Sequence, residues 1–178
     1  MGSGPGVFST VQWIHCNEWA MGRFWRRPCY RSIPKLAYDI SWYGAGAVHP
    51  NSHFETYNFS LPERLILLSL DDFFNDYDAA VQRISELCIA ELCREYWRRL
   101  NEKPDEHQIN WFNEGAGAKA ENFTKFTVSA DHFTFLFAPY KVSAYACGTW
   151  SVDVSFYDLI DNLKSEGPHL LAAQRSYS

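Results

Sequence analysis

The chain has 178 residues, 47% hydrophobic and 17% aromatic, enough to bury one sizeable core as a single domain. Its formal net charge of −5 and pI near 5.6 argue against a general affinity for nucleic acid or anionic lipid, since either calls for a basic surface. No run approaches the roughly 18 apolar residues of a membrane span, so no transmembrane segment is expected, and the amino terminus lacks the pattern of an export signal.

Residues 1–35 read as an irregular amino-terminal arm, opening on a flexible Met1–Gly6 leader and carrying one short strand over Val7–Ile14. In it Arg23, Arg26, Arg27, Arg31 and Lys35 interleave with Phe24, Trp25 and Tyr30, a mixture that can stack bases and neutralise phosphates. In an acidic chain it reads better as a solvated basic loop whose rings pack on the domain, and no nucleic-acid partner is expected. The 5 cysteines form no CxxC pair and no zinc-like spacing with the histidines. Cys16 with Cys29 is the pair worth testing as a disulfide; an odd count leaves one thiol over, which suits a reducing compartment better than an oxidising one.

Leu36–Tyr43 alternates as a strand, and Gly44-Ala45-Gly46-Ala47 breaks it. A second strand, His53–Leu61, places Phe54, Thr56, Asn58 and Ser60 opposite Glu55, Tyr57, Phe59 and Leu61, so the two segments predict a hairpin. Pro62 and Glu63 mark a reversal before a short strand in Arg64–Ser69. Asp76 or Asp78 caps a helix running to about Leu100, with Val81, Ile84, Cys88 and Leu92 at helical spacing. Asn101–Asp105 is a loop. Phe123–Ser129 and Phe133–Phe137 predict a hairpin, Val152–Phe156 a further strand and Tyr157–Lys164 a short closing helix. The fold class is α+β, an antiparallel sheet packed by one long and one short helix. Residues 36–166 form the domain, and 167–178 a flexible tail.

Several segments invite a chemical reading. The GAGAVHPN stretch has the glycines of an anion-binding turn but lacks GxxxxGK[ST] and leads into a strand, so it reads as a structural turn. His49 and His53 lie four apart with Glu55 nearby, a spacing that gathers metal ligands on a helix but not on a strand; His49 then hydrogen-bonds the turn backbone. Asp71 and Asp72 read as a helix start more readily than as the carboxylate pair of glycoside hydrolysis. Cys147 reads as a small buried hydrophobe. In Phe137–Gly148, Pro139 and Gly148 frame a loop whose Tyr140 and Tyr145 serve as packing at the domain edge, as a protein-recognition surface, or as both. The candidate binding residues are His49, Asn51, Tyr140, Tyr145 and Trp150. No catalytic residue, metal ligand or cofactor is assigned.

Three blocks occur in fixed order: SWYGAGAVHPNSHFETYNFSL, SLDDFF, and WFNEGAGAKAENFTKFTVSADHFTFLFAPYKVSAYACGTWSVDVSFYDL. Together they span most of residues 36–163, and in this order they resemble the carboxy-terminal domain shared by RsiV-type anti-sigma factors and PdaC-type polysaccharide deacetylases. The resemblance implies a bacterial cell-envelope module, extracytoplasmic or periplasmic, that binds a partner without itself being a catalytic unit; in RsiV-type proteins that partner is lysozyme. The sigma-binding segment, transmembrane helix and deacetylase domain of those proteins are not in this sequence, and the small domain that often precedes the module is absent or reduced to residues 1–35. The expected function is therefore noncatalytic recognition of a lysozyme-like protein or a peptidoglycan-related glycan. The competing expectation is an accessory hydrolase of cell-wall polysaccharide working through His49 and acidic residues.

Overall fold

The computed structural model describes residues 9–13, 33, 35–42, 48–60 and 66–170. Expectations for the leader, the Arg23–Arg31 segment, the Cys16–Cys29 pair, the Gly44–Ala47 turn, the Pro62–Glu63 reversal and the last eight residues lie outside them.

Strands β1 (Ser9–Trp13), β2 (Lys35–Trp42), β3 (Asn51–Ser60) and β4 (Ile66–Leu68) form one antiparallel sheet in that order. The predicted hairpin is present, in register from Lys35 opposite Asn58 to Trp42 opposite Asn51. A second antiparallel sheet comprises β5 (Phe126–Val128), β6 (His132–Phe137) and β7 (Trp150–Ser155). The protein is α+β as expected, with two sheets where the sequence suggested one.

The long helix α1 covers Tyr77–Leu100, capped by Asp76, whose carboxylate accepts from the Ala79 amide at 3.0 Å. It ends at Asn101, which adopts the left-handed conformation at φ 55°. Ala80, Val81, Ile84, Cys88 and Leu92 are buried along one stripe. The second sheet supplies Phe133, Phe135 and Phe137 from β6 and Trp150, Val152 and Val154 from β7, paired across the ladder and therefore on one face. Each such side chain contributes about 1.5–3 kcal/mol by leaving water, so this layer is the main source of stability.

The short helix lies elsewhere than expected. It is α2, Glu106–Ala116, capped by the Asp105 carboxylate, which accepts from Gln108 N at 2.8 Å. Tyr157–Leu159 forms only a 3-10 turn, because the chain beyond it is drawn against the segment before α1: Leu163 bridges Phe74, and Lys164 N donates to Phe73 O at 2.9 Å. Packing also persists past residue 166, since His169 is buried with its ring on Phe156.

The two sheets meet through side chains. On β3 the inward face carries Phe54 at 4% exposure and then polar groups: Asn58 is 1% exposed, and its carboxamide donates to Phe126 O at 3.0 Å and accepts from Val128 N at 3.1 Å. Thr56 Oγ accepts from Phe126 N at 3.2 Å. These groups satisfy the free edge of β5 as a neighbouring strand otherwise does. Salt-bridged Lys125 and Glu55, 2.8 Å apart, reinforce the same seam.

Candidate functional site

Two connections converge on one aromatic cluster. The β2–β3 connection delivers His49, and the β6–β7 connection delivers Tyr140 and Tyr145. His49 Nδ1 lies 3.1 Å from Pro50 O, a pure acceptor, so Nδ1 carries the proton. That leaves Nε2 to accept from the Tyr140 hydroxyl at 2.8 Å. The imidazole also stacks on Tyr145, with centroids 3.9 Å apart and planes 17° from parallel, and Tyr140 and Tyr145 stand 5.6 Å from each other. The backbone bond expected of His49 is present, and the same ring joins the two loops.

The backbone under Tyr140 is unusual. Lys141 N donates to Ala138 O at 3.0 Å, closing a four-residue turn with Pro139 second and Tyr140 third, at φ 69°. Proline at the second position and positive φ at the third define a type II turn, whose third position favours glycine. A bulky side chain there costs about 1–2 kcal/mol relative to the right-handed region. The surroundings hold it: Trp111 Nε1 donates to Tyr140 O at 3.0 Å, and Gln108 Nε2 donates to Val142 O at 2.8 Å. Gly115 brings α2 so close that a Cβ on it would lie 1.9 Å from Lys141 O. Tyr140 itself remains 52% exposed. The result is a rigid loop that presents an aromatic face.

The other candidates stand apart. Asn51 is exposed at the head of β3, two residues from His49. Trp150 is not on this surface but in the core, 1% exposed, stacked on Tyr96, and covered by the Arg99 guanidinium 4.1 Å from its ring centre. Arg99 also donates to Thr149 O at 3.0 Å, so Trp150 and Arg99 anchor the far end of the loop. Asp72 accepts from Ser69 N at 2.8 Å and Oγ at 2.9 Å, the capping role expected of this pair. Lys35 donates to Ser129 Oγ at 2.7 Å, and burial lowers its pKa. Cys88 is fully buried and its thiol is pushed far up by desolvation; Cys147 is half-buried against the core. Among the described residues no group of three or more His, Cys, Asp or Glu side chains is placed to hold a metal, and no helix is long and apolar enough to cross a membrane.

Sequence reasoning found His49, Tyr140 and Tyr145 but missed their supports Gln108, Trp111 and Gly115, because α2 was not recognised. Its signal was present: Asp105 as cap, then Ile109, Phe112 and Ala116 at helical spacing.

The stretch that carries both supporting helices and the tyrosine loop also has relatives. Residues 71–157 match the DUF3298 family, a protein family of unknown function. The match runs from the turn before α1 through β7 and leaves out the first sheet and His49. A crystal structure of a DUF3298-family member from Bacteroides fragilis aligns over 95% of this chain and 57% of its own, with TM-score 0.56 and 19% identity. One from Pseudomonas aeruginosa aligns over 95% of this chain and 66% of its own, with TM-score 0.56 and 14% identity. These two likenesses establish the fold, and the chain spans under two thirds of the length of either protein. No curated protein matches the chain.

Proposed function

We propose that this chain is a noncatalytic, extracytoplasmic binding module that captures a lysozyme-like protein on the His49–Tyr140–Tyr145 surface. One observation carries the reading: a half-exposed tyrosine is held at φ 69° by bonds from two loops and a helix. Strain of this kind is retained where the fixed geometry serves recognition, and rigid tyrosines give contact area at low entropic cost. The resemblance to RsiV-type domains rests on three blocks, GAGAVHPN, GAGAKAENF and FAPYKVSAYACG, and the cluster draws His49 from the first and Tyr140 and Tyr145 from the third. The net charge of −5 favours encounter with a cationic partner.

The test is capture of a chicken-type lysozyme by the immobilised domain. Tyr140→Gly and Tyr145→Ala are expected to weaken binding about 10–30-fold, the size of a central aromatic hot spot. Tyr157→Ala, at a tyrosine 83% exposed outside the cluster, leaves it unchanged. Equal losses in all three variants, or no capture by the parent chain, reject the assignment.

A further inference from the structure

A second concave surface is built from residues the cluster does not use. The last turns of α1 and its connection to α2 border a shallow, open cleft of about 610 Å³ lined by Cys93, Arg94, Trp97, Arg98, Lys103 and Pro104. The volume lies in the ~300–1,000 Å³ range of small-molecule sites. The floor is apolar: Cys93 and Trp97 sit one helical turn apart on the same face, and Asn101 at φ 55° reverses the chain after Leu100, bringing Pro104 opposite them. Trp97 is 55% exposed, an uncommon state for so large an apolar ring.

Three of the six lining residues are cationic and none is acidic. Arg94 is paired with Glu91 at 2.9 Å, and Arg98 with Glu95 and Glu91. Lys103 has no ion pair among the described residues, so its ammonium is the free charge at the rim. The C-terminal end of α1 carries partial negative charge, so an anion is held here by the Lys103 ammonium and the flanking arginines against the helix dipole. An apolar floor with a positive rim complements a ligand that has a ring or chain at one end and a negative charge at the other.

We infer that this cleft binds a small amphipathic organic anion, with Trp97 stacking on its apolar body and Lys103 meeting its charged head. The site is independent of the surface proposed for the protein partner.

Two dyes that share an apolar body separate the elements of this claim: anilinonaphthalene sulfonate carries the charge and N-phenylnaphthylamine does not. Fluorescence titration of the folded chain is expected to show one saturable site for the sulfonate, about two- to fivefold tighter than for the neutral dye. Trp97→Ala and Lys103→Glu are each expected to weaken sulfonate binding by about tenfold, and only Trp97→Ala to weaken the neutral dye comparably. Both are exposed positions, and unchanged circular dichroism verifies the fold of each variant. Equal affinity for the two dyes, lack of saturation, or an unchanged sulfonate titration in either variant overturns the assignment.

Discussion

Replacing Tyr140 separates the backbone from the ring. Its φ of 69° sits at the glycine-favouring position of the Ala138–Lys141 turn. Tyr140→Ala removes the ring and leaves the backbone strained; Tyr140→Gly removes the ring and also releases about 1–2 kcal/mol of left-handed strain. Both lose the hydroxyl bond to His49, about 0.5–1.5 kcal/mol, together with ring contacts to His49 and Tyr145. Glycine's greater freedom in the unfolded chain returns about 0.5–1 kcal/mol of the advantage. The glycine variant should therefore be the more stable of the two by about 0.5–1 kcal/mol, equivalent to a midpoint roughly 1–4 °C higher in a chain of this size. Urea and thermal unfolding followed by circular dichroism measure it. An alanine variant as stable as the glycine variant, or more so, would show that Tyr140 does not occupy positive φ in solution, and the argument for a strained recognition loop would fail.

Four other substitutions probe the scaffold. Asn58→Ala removes both bonds to the β5 edge and strands Phe126 O and Val128 N; with about 1–3 kcal/mol per buried group left unpaired, a loss of roughly 2–6 kcal/mol in urea unfolding is expected. Gly115→Ala drives a methyl into Lys141 O, so the midpoint should fall by the equivalent of about 1–3 kcal/mol, whereas Gly148→Ala, with open space around its Cβ, meets only the strain of φ 70°. His169 gives a pH dependence. Burial lowers its pKa below the ordinary 6.5, so the folded state holds it neutral and the unfolded chain binds the extra proton. Its contribution is complete above about pH 6.5 and declines as pH falls through that value toward the depressed folded pKa. The His169→Phe variant should lose this part of the midpoint-versus-pH slope, and an unaltered slope would remove His169 as its source.

The elements with clean periodicity were legible in the sequence. Helix α1 shows its cap at Asp76 and its stripe from Val81 to Leu92, and the hairpins announce themselves by alternation around glycine or Ala-Asp-His breaks. Strand β3 shows the limit of that signal. Its two faces separate as the alternation implies, but the inward one bears Thr56, Asn58 and Ser60 beside Phe54, while Tyr57 is 38% exposed, because part of the inward face meets a strand edge that needs hydrogen bonds. Helix α2 is obscured by its asparagines and closing glycines; of these Gly115 allows close approach to Lys141 of the tyrosine loop at some cost in helix propensity. At the site, His49, Tyr140 and Tyr145 were named from turn chemistry and aromatic content. Their contact depends on the two sheets being joined, a pairing no local pattern encodes. Trp150, expected among the binding residues, belongs instead to the core through Tyr96, Phe112 and Arg99.

The central claim is that a preorganised tyrosine–histidine surface recognises a lysozyme-like protein. Calorimetric titration of a chicken-type lysozyme into the parent chain and into Tyr140→Gly tests it most directly. The parent chain is expected to give a saturable one-to-one isotherm with a dissociation constant of about 1 μM or tighter, and the variant to lose about 2 kcal/mol in binding free energy. No saturable heat up to roughly 100 μM, the range of nonspecific contact, or identical isotherms for the two proteins, would contradict it.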